Sequence, residues 1–374
     1  MLRYLTAGES HGKCLVGILE GMPAGLKVNK REIDEELARR QKGYGRGARM
    51  KIEKDNTRIL CGLRKGKTIG SPIALLIENK DCKIDSLPPL VCPRPGHADL
   101  PGALKYNTKD IRDVLERASA RETAMRVAIG ALCRTLLEQF KIEVISQVTS
   151  IGRVCAYTQG LSFNQIRSRV AKSRTSCADK VAEARMIKEI DKVRKEGDSL
   201  GGTFEVIAAG LPAGLGSCAH WERRLDARVA ALLMSIPAIK GVEVGAGFIG
   251  ACLRGSELHD AIFYASRKGF FRKTNHAGGL EGGITNGEPL VLRCAMKPIS
   301  TLKRPLPSVN IRSKRAVRAA VERADVCAVP AAAVVGEAAV AFCLAESLLE
   351  KFAGDSLFET KRNHEGYLKQ IKKF

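Results

Sequence analysis

Aromatic side chains are scarce, 5% of the 374 residues with a single Trp, and this leaves few faces on which unpaired bases could stack. Paired cysteines are missing as well. None of the twelve cysteines sits in a CxxC arrangement, which argues against a zinc knuckle or a dithiol couple and makes them small apolar residues of a reducing compartment; no metal is expected. No signal-like apolar segment precedes Gly8, and no uncharged stretch reaches the roughly 18 residues that a membrane span needs. A cytoplasmic chain without a membrane partner is therefore expected. The longest apolar run, Val329 to Leu349, is interrupted by Glu337 and Glu346 and reads as a core helix. Acidic residues are also in deficit, 40 Asp+Glu against 62 Lys+Arg, for a net charge of +22. Such a field gathers anions: nucleic acid, an acidic surface or phosphorylated small molecules.

What is present is a mixed α/β pattern. The strand-like run 15–20 (LVGILE) ends in Gly21-Met22-Pro23-Ala24-Gly25-Leu26, a turn signal, and 30–40 (KREIDEELARR) has helical spacing. The same order returns as 203–209 (TFEVIAA), Gly210-Leu211-Pro212-Ala213-Gly214-Leu215 and the helical 224–234 (RLDARVAALLM). Two such strand–turn–helix units indicate internal duplication within a single domain spanning 1–350. A charged, helical stretch at about 160–200 reads as a solvated insertion, and 351–374 as a basic surface tail.

Two motif matches carry little. Gly245-Ala246-Gly247-Phe248-Ile249-Gly250 has dinucleotide-fingerprint spacing without the helix that should follow it. Gly62 to Thr68 is one residue short of a phosphate loop and runs into a strand (IALLIE), so it reads as a hairpin turn.

The candidate chemistry lies in loops. His11 in GESHG and His97 in RPGHAD are glycine-flanked, and histidine suits proton transfer near neutral pH. Arg94 stands three residues before His97, and a cation beside an acid suits a phosphate leaving group. Arg39, Arg40, Arg46 and Arg49 surround the flexible GYGRG, whereas Arg117 and Arg121 of ERASARETAMR, four apart, are expected on one helical face with Ser119 placed to use a helix N-terminus for an anion. The glycine-dense 275–284 (NHAGGLEGGI) and the segment MKPIST (296–301) add backbone donors, a lysine and hydroxyls.

Taken together, GESHGKCLVGILEGMP (8–23), ERASARETAMRVAIGAL (116–132) and RADVCAVPAAAVVGEAA (323–339), with 39–53, 94–99, 275–284 and 296–301, resemble the chorismate synthase family over nearly the whole chain. The resemblance implies a lyase that converts 5-enolpyruvylshikimate 3-phosphate into chorismate and phosphate by anti-1,4-elimination, with reduced FMN although no net redox change occurs. It implies an α/β sandwich of duplicated units, antiparallel sheets packed with helices, and a homotetramer. By position, it places His11 near the flavin, His97 as the acid for the departing phosphate and Asp325 at the flavin as base or orienter. Arg40, Arg46, Arg49, Arg121 and Arg323 would grip the substrate. Arg117, Ala118, Ser119, Ala238, Gly282, Lys297, Pro298, Ile299, Ser300, Thr301 and Arg323 would hold the cofactor. An NADPH contact at Arg40 and Arg46 is also carried over, NADPH being an indirect reductant through an external flavin reductase. Two positions depart from the family: Ala324 stands where Ser or His is expected, and Pro237 where some members have Asn.

Two rivals remain at this level. A basic RNA-binding protein would follow from the charge alone, but no RNP-like or KH-like run is present. An NAD(P)H-dependent flavin oxidoreductase would need a nicotinamide site, and the GxGxxG at 245–250 lacks its context.

Overall fold

A computed structural model describes residues 1–47, 53–266, 269–322 and 324–374. The chain opens with β1 (Arg3–Gly8), β2 (Cys14–Glu20), α1 (Lys30–Gln41), β3 (Thr57–Cys61), a small hairpin β4 (Leu63–Arg64) and β5 (Lys67–Thr68), and β6 (Ile73–Glu78). Helices α2 (Asp99–Tyr106), α3 (Arg112–Ala118) and α4 (Thr123–Glu138) follow. The second half brings β7 (Glu143–Ile151), β8 (Val154–Cys155), α5 (Phe163–Val170), α6 (Lys180–Glu196), β9 (Gly202–Ala209), α7 (Leu225–Met234) and β10 (Ile239–Val244). Then come hairpins β11 (Ile262–Ala265)/β12 (Gly269–Arg272) and β13 (Leu280–Glu281)/β14 (Ile284–Thr285), and strand β15 (Leu290–Met296). A last hairpin, β16 (Pro307–Val309)/β17 (Ala316–Arg318), precedes α8 (Val329–Phe352) and α9 (Leu357–Lys372).

Local chemistry accounts for these boundaries. The Asn29 side chain accepts from the Arg31 N–H to cap α1, whose last turn carries Arg39 and Arg40 beside the orphan carbonyls. Asp179 caps α6 through the Val181 and Ala182 amides. The Gly62–Thr68 segment is the hairpin its spacing implied, turning through Lys65 (φ 50°) and Gly66 (φ 73°).

The duplication is visible in the sheets. The first runs β1-β2-β6-β3 and the second β10-β15-β9-β7-β8, so β7-β9-β15-β10 repeats the first order with every pairing antiparallel. The two GxPAGL turns are fastened alike. Thr68 Oγ1 donates to Pro23 O (2.6 Å) and accepts from Leu26 N (2.9 Å), while Thr285 Oγ1 donates to Pro212 O (2.7 Å) and accepts from Leu215 N (2.8 Å).

Helices α1 and α4 back the first sheet, α7 and α8 back the second, and the two helical layers meet at the centre. At Gly130 of α4 a Cβ would lie 2.4 Å from the Ala338 Cβ of α8, so only glycine permits this approach. Of the described residues, α8 is the one helix long and apolar enough to cross a membrane, and it is buried in this core. Glu337, its charged interruption, accepts from Arg39 (2.8 Å), Arg134 (3.1 Å) and Ser146 (2.7 Å), because a buried carboxylate is tolerated only when paired. The outer face of the second sheet is covered where Ile166 and Ala178 of the α5–α6 insertion pack on Ile145 and Ile207. Among the described residues the first sheet has no such apolar cover, and Leu5 and Ile18 are 71% and 43% exposed on it.

Residues after 350, read as a tail, include the helix α9, with Thr360 and His364 buried. The segment touches both repeated turns: Ala24 N donates to Asp355 O (2.8 Å) and Tyr367 Oη to Ala213 O (3.0 Å).

Candidate active site

His11 lies in the loop between β1 and β2. Its Nδ1 is 2.9 Å from Glu116 Oε1, and its backbone N–H donates to Glu116 Oε2 at 2.7 Å. Glu116 comes from α3 and is 2% exposed. Burial pushes its carboxyl up, but the His11 side-chain and backbone hydrogen bonds outweigh this and hold it below the usual range. The proton on Nδ1 is thereby committed to Glu116, and Nε2, 3.8 Å from Asp81 Oδ2, is the nitrogen left for exchange.

His97 repeats the design. Its Nδ1 is 2.5 Å from Asp99 Oδ1, and Asp99 is wholly buried. Arg94 donates to both Asp99 oxygens, Nε to Oδ2 at 2.8 Å and Nη2 to Oδ1 at 3.0 Å, while its Nη1 reaches Thr301 Oγ1 at 2.8 Å. Burial raises the Asp99 pKa; the bonds from His97 and Arg94 reverse this and hold the carboxyl well below the usual carboxylate range.

Three arginines form the cationic floor. Arg40 is 4% exposed at the end of α1. Its Nε donates to Thr123 Oγ1 (3.0 Å) and its Nη2 to Ala120 O (2.8 Å), but Nη1, 3.7 Å from Asp55 Oδ2, has no hydrogen-bond acceptor among the described residues. Arg121 donates to Asn79 Oδ1 (2.9 Å) and Asp55 Oδ1 (2.6 Å), and its Nη2, 3.8 Å from Glu53, likewise has none among them. Burial pushes the Arg40 guanidinium down to about 10, with Asp55 opposing the shift and Arg46 and Arg121 adding to it. An arriving anion would relieve this repulsion and satisfy both orphaned donors. Arg46 donates to Asp325 Oδ2 and Gly47 N to Asp325 Oδ1, each at 2.6 Å.

Most of the expected residues fall into two hydrogen-bonded groups, one running from the His97 turn to Arg46 and the other from Arg40 to the His11 loop. Lys297 Nζ and Ser300 Oγ (2.9 Å) both donate to Gly96 O, setting the 297–301 loop on the His97 turn. Lys297 N donates to Ala238 O (2.9 Å), and Ala238 holds a positive φ of 70°. Ser199 Oγ donates to Ile299 O (2.6 Å), Leu200 N to Val326 O (2.8 Å) and Val326 N to Gly45 O (2.9 Å), which leads to Arg46. From Arg40 the path runs through the α4 entry to Arg121, Asn79 and the His11 loop, whose Glu9 and Gly12 carbonyls accept from Asn79 Nδ2.

Some expectations come out differently. Arg117 and Arg121 do not share a helical face: α3 ends at Ala118, Ser119 is extended (ψ 139°), and its hydroxyl caps the 3-10 turn Ala120–Glu122 through Arg121 N. Arg117 consequently lies exposed over β1, donating to Thr6 O (2.9 Å) and Gly8 O (3.0 Å), while Arg121 points inward. Gly282 (φ 59°) turns the β13–β14 hairpin at the start of α7, the opposite end of that helix from Ala238, about 15 Å of helix away. Pro298 stays within the docked loop. Arg49 and Arg323 lie outside the described residues. Glu116, Asp55 and Glu53 were not singled out from sequence, although Asp99, two residues after His97, carried a legible signal.

Fold and site define a small-molecule enzyme built for a polyanion, with two carboxylate-backed histidines and a buried arginine cluster. The chorismate synthase family model matches residues 2–349. The chain is 55% identical to chorismate synthase of Desulforudis audaxviator (100% of this chain, 98% of that one) and 53% identical to that of Geobacter metallireducens (100% of both). It is similar to a crystal structure of chorismate synthase at TM-score 0.84 and 44% identity, covering 100% of this chain and 99% of that one. The chain belongs to the chorismate synthase family. It is a lyase of aromatic biosynthesis that eliminates phosphate from 5-enolpyruvylshikimate 3-phosphate to give chorismate.

Proposed function

We propose that the elimination is carried out between the two groups just described, with reduced FMN as cofactor. The observation that carries this reading is the pair of buried guanidinium donors, on Arg40 and Arg121, that have no hydrogen-bond acceptor among the described residues. They fit a group bearing phosphate or carboxylate, which both FMN and the substrate supply. Reduced FMN contributes an electron-rich ring that makes an elimination without net oxidation accessible. Arg117, Ala118, Ser119, Ala238, Gly282, Lys297 to Thr301 and Arg323 are the residues proposed to hold it.

Arg40, Arg46, Arg49, Arg121 and Arg323 bind the phosphate and carboxylates of the substrate. His97 delivers a proton from Nε2 to the departing phosphate, and Asp99 stabilises the imidazolium before transfer. His11 holds its Nε2 toward the cofactor with Glu116 fixing the ring. Asp325 serves as an orienter: both of its oxygens already accept short bonds, from Arg46 and Gly47, which fix its direction.

The test is an anaerobic assay with dithionite-reduced FMN and 5-enolpyruvylshikimate 3-phosphate, following chorismate and phosphate together. Equal yields are expected, with none when FMN is oxidised or omitted; turnover without reduced flavin would remove the cofactor from the reading. NADPH is proposed to act only through an external flavin reductase in the cytoplasm. NADPH-driven turnover in air by the purified chain alone would overturn that part.

Self-association, as one of the interfaces a homotetramer needs, is supported by the exposed Leu5 and Ile18 on the outer face of the first sheet. Pairing that face with a second copy would cover Leu5 and Ile18, as the insertion covers Ile145 and Ile207. Leu5→Lys combined with Ile18→Lys is expected to shift the protein to a smaller species in sedimentation velocity. A wild-type monomer at micromolar concentration would contradict the assignment.

A further inference from the structure

The segment that carries Arg46 leaves the end of α1 through Gly43 (φ 117°) and Gly45 (φ 98°), which hold backbone conformations of wide freedom. Such a segment needs an external hold if a guanidinium on it is to be aimed. Tyr44 supplies a contact that neither the family resemblance nor the mechanism above uses. Its hydroxyl is 2.8 Å from both Oδ1 and Oδ2 of Asp191, on α6 of the insertion. Arg174 lies over its ring with Cζ 4.5 Å from the centroid, and Arg194 at 5.3 Å. Arg194 also donates to Asp191 Oδ1 (2.7 Å), and Tyr44 N donates to Arg174 O (2.9 Å). The segment around Arg174 is itself braced by Glu183, which accepts from Ser173 Oγ and the Arg174 and Thr175 amides. Two residues on, Arg46 meets Asp325, and a Cβ on Gly45 would stand 3.1 Å from the Cys327 Cβ.

We propose that Tyr44 is a positioning residue, clamped by Asp191, Arg174 and Arg194 of the insertion, and that the clamp sets Arg46 and Asp325 in place for the elimination. The insertion read from sequence as a solvated ornament is thus the outer jaw of the site loop. The proposal rests on the assignment of Arg46 and Asp325 to the active site. An aromatic ring with guanidiniums over it is held by its face, and the hydroxyl–carboxylate bond fixes its angle. The clamp spans about 130–150 residues of sequence and joins the first half of the duplicated fold to an element present only in the second.

The experiment is steady-state kinetics of Tyr44→Ala, Tyr44→Phe and Asp191→Ala, with thermal unfolding of each and Arg46→Ala as reference. Tyr44→Ala is expected to raise KM for the substrate by about 10-fold to 100-fold, the range that a small misplacement of a binding group produces, with a smaller change in kcat. Tyr44→Phe keeps the stacking and should change KM by only about 2-fold to 5-fold, with Asp191→Ala matching it. Adding Tyr44→Ala to Arg46→Ala should raise KM no further. A merely structural tyrosine would reduce the folded fraction, lowering apparent kcat with KM unchanged, and that result overturns the proposal. Wild-type KM in Tyr44→Ala overturns it as well. Wild-type KM in Arg46→Ala instead defeats the assignment of Arg46 to the site, a failure separable from that of the clamp.

Discussion

Glu116→Gln is expected to lower turnover by about 10²–10⁴ while the protein remains folded, which is the usual contribution of a positioned acid or base. The amide keeps the size of the carboxylate and can still accept one of the two bonds from His11, so packing around α3 should survive. What disappears is the negative charge beside Nδ1, which both selects the tautomer and stabilises a proton on the ring. His11→Ala should fall by a similar factor, and the double variant should be no slower than the worse single one, because the two act as a unit. Independent, additive losses would show that Glu116 serves some other group. The native Glu116 pKa lies below its unfolded value, so its contribution to stability is complete above the unfolded pKa of about 4.3 and is lost as pH falls through the folded value. Acid unfolding of Glu116→Gln should consequently be less steep than that of the wild type below about pH 4.5.

The largest stability effect is expected at Asp55. It is buried, accepts from Arg121 at 2.6 Å, and pairs with Nη1 of Arg40 at 3.7 Å. Asp55→Ala leaves two buried guanidiniums with too little counter-charge and should reduce the free energy of unfolding by about 3–5 kcal/mol in urea titration. Asp55→Asn, which retains an acceptor oxygen, should lose less. Inorganic phosphate should stabilise Asp55→Ala more than the wild type, since the added anion replaces the missing charge. Equal stabilisation of both proteins would mean that Arg40 and Arg121 do not face the anion.

Much of this was legible because turn and period signals are local. The GxPAGL turns, the strand-like runs that become β2 and β9 and the hairpin at Gly62–Thr68 follow from short-range sterics and burial. The histidines and arginines were legible as candidates because glycine-flanked loops and clustered guanidiniums are uncommon in a bland surface. Their carboxylate partners were not. In a sequence, Glu116 and Asp55 look like any of 40 acidic residues, and only the fold shows that they are buried against a specific cation. The helical reading of 116–126 failed at Ser119 for a related reason: serine is acceptable in a helix, yet here its hydroxyl does better capping the next turn. Tyr44 gave no signal because its partners lie in another half of the chain.

The C-terminal contacts with the two repeated turns bear on biosynthesis. Asp355 and Tyr367 supply partners to turns near residues 24 and 213, so the first turn gains its contact once residue 355 has been made and the second only once residue 367 has. A nascent chain stopped before residue 355 lacks both contacts, and one stopped between 355 and 367 lacks the second. The segment 355–367 is thus a latch on both halves of the repeat, and cutting it away would touch the turn near residue 24 as directly as the one near residue 213.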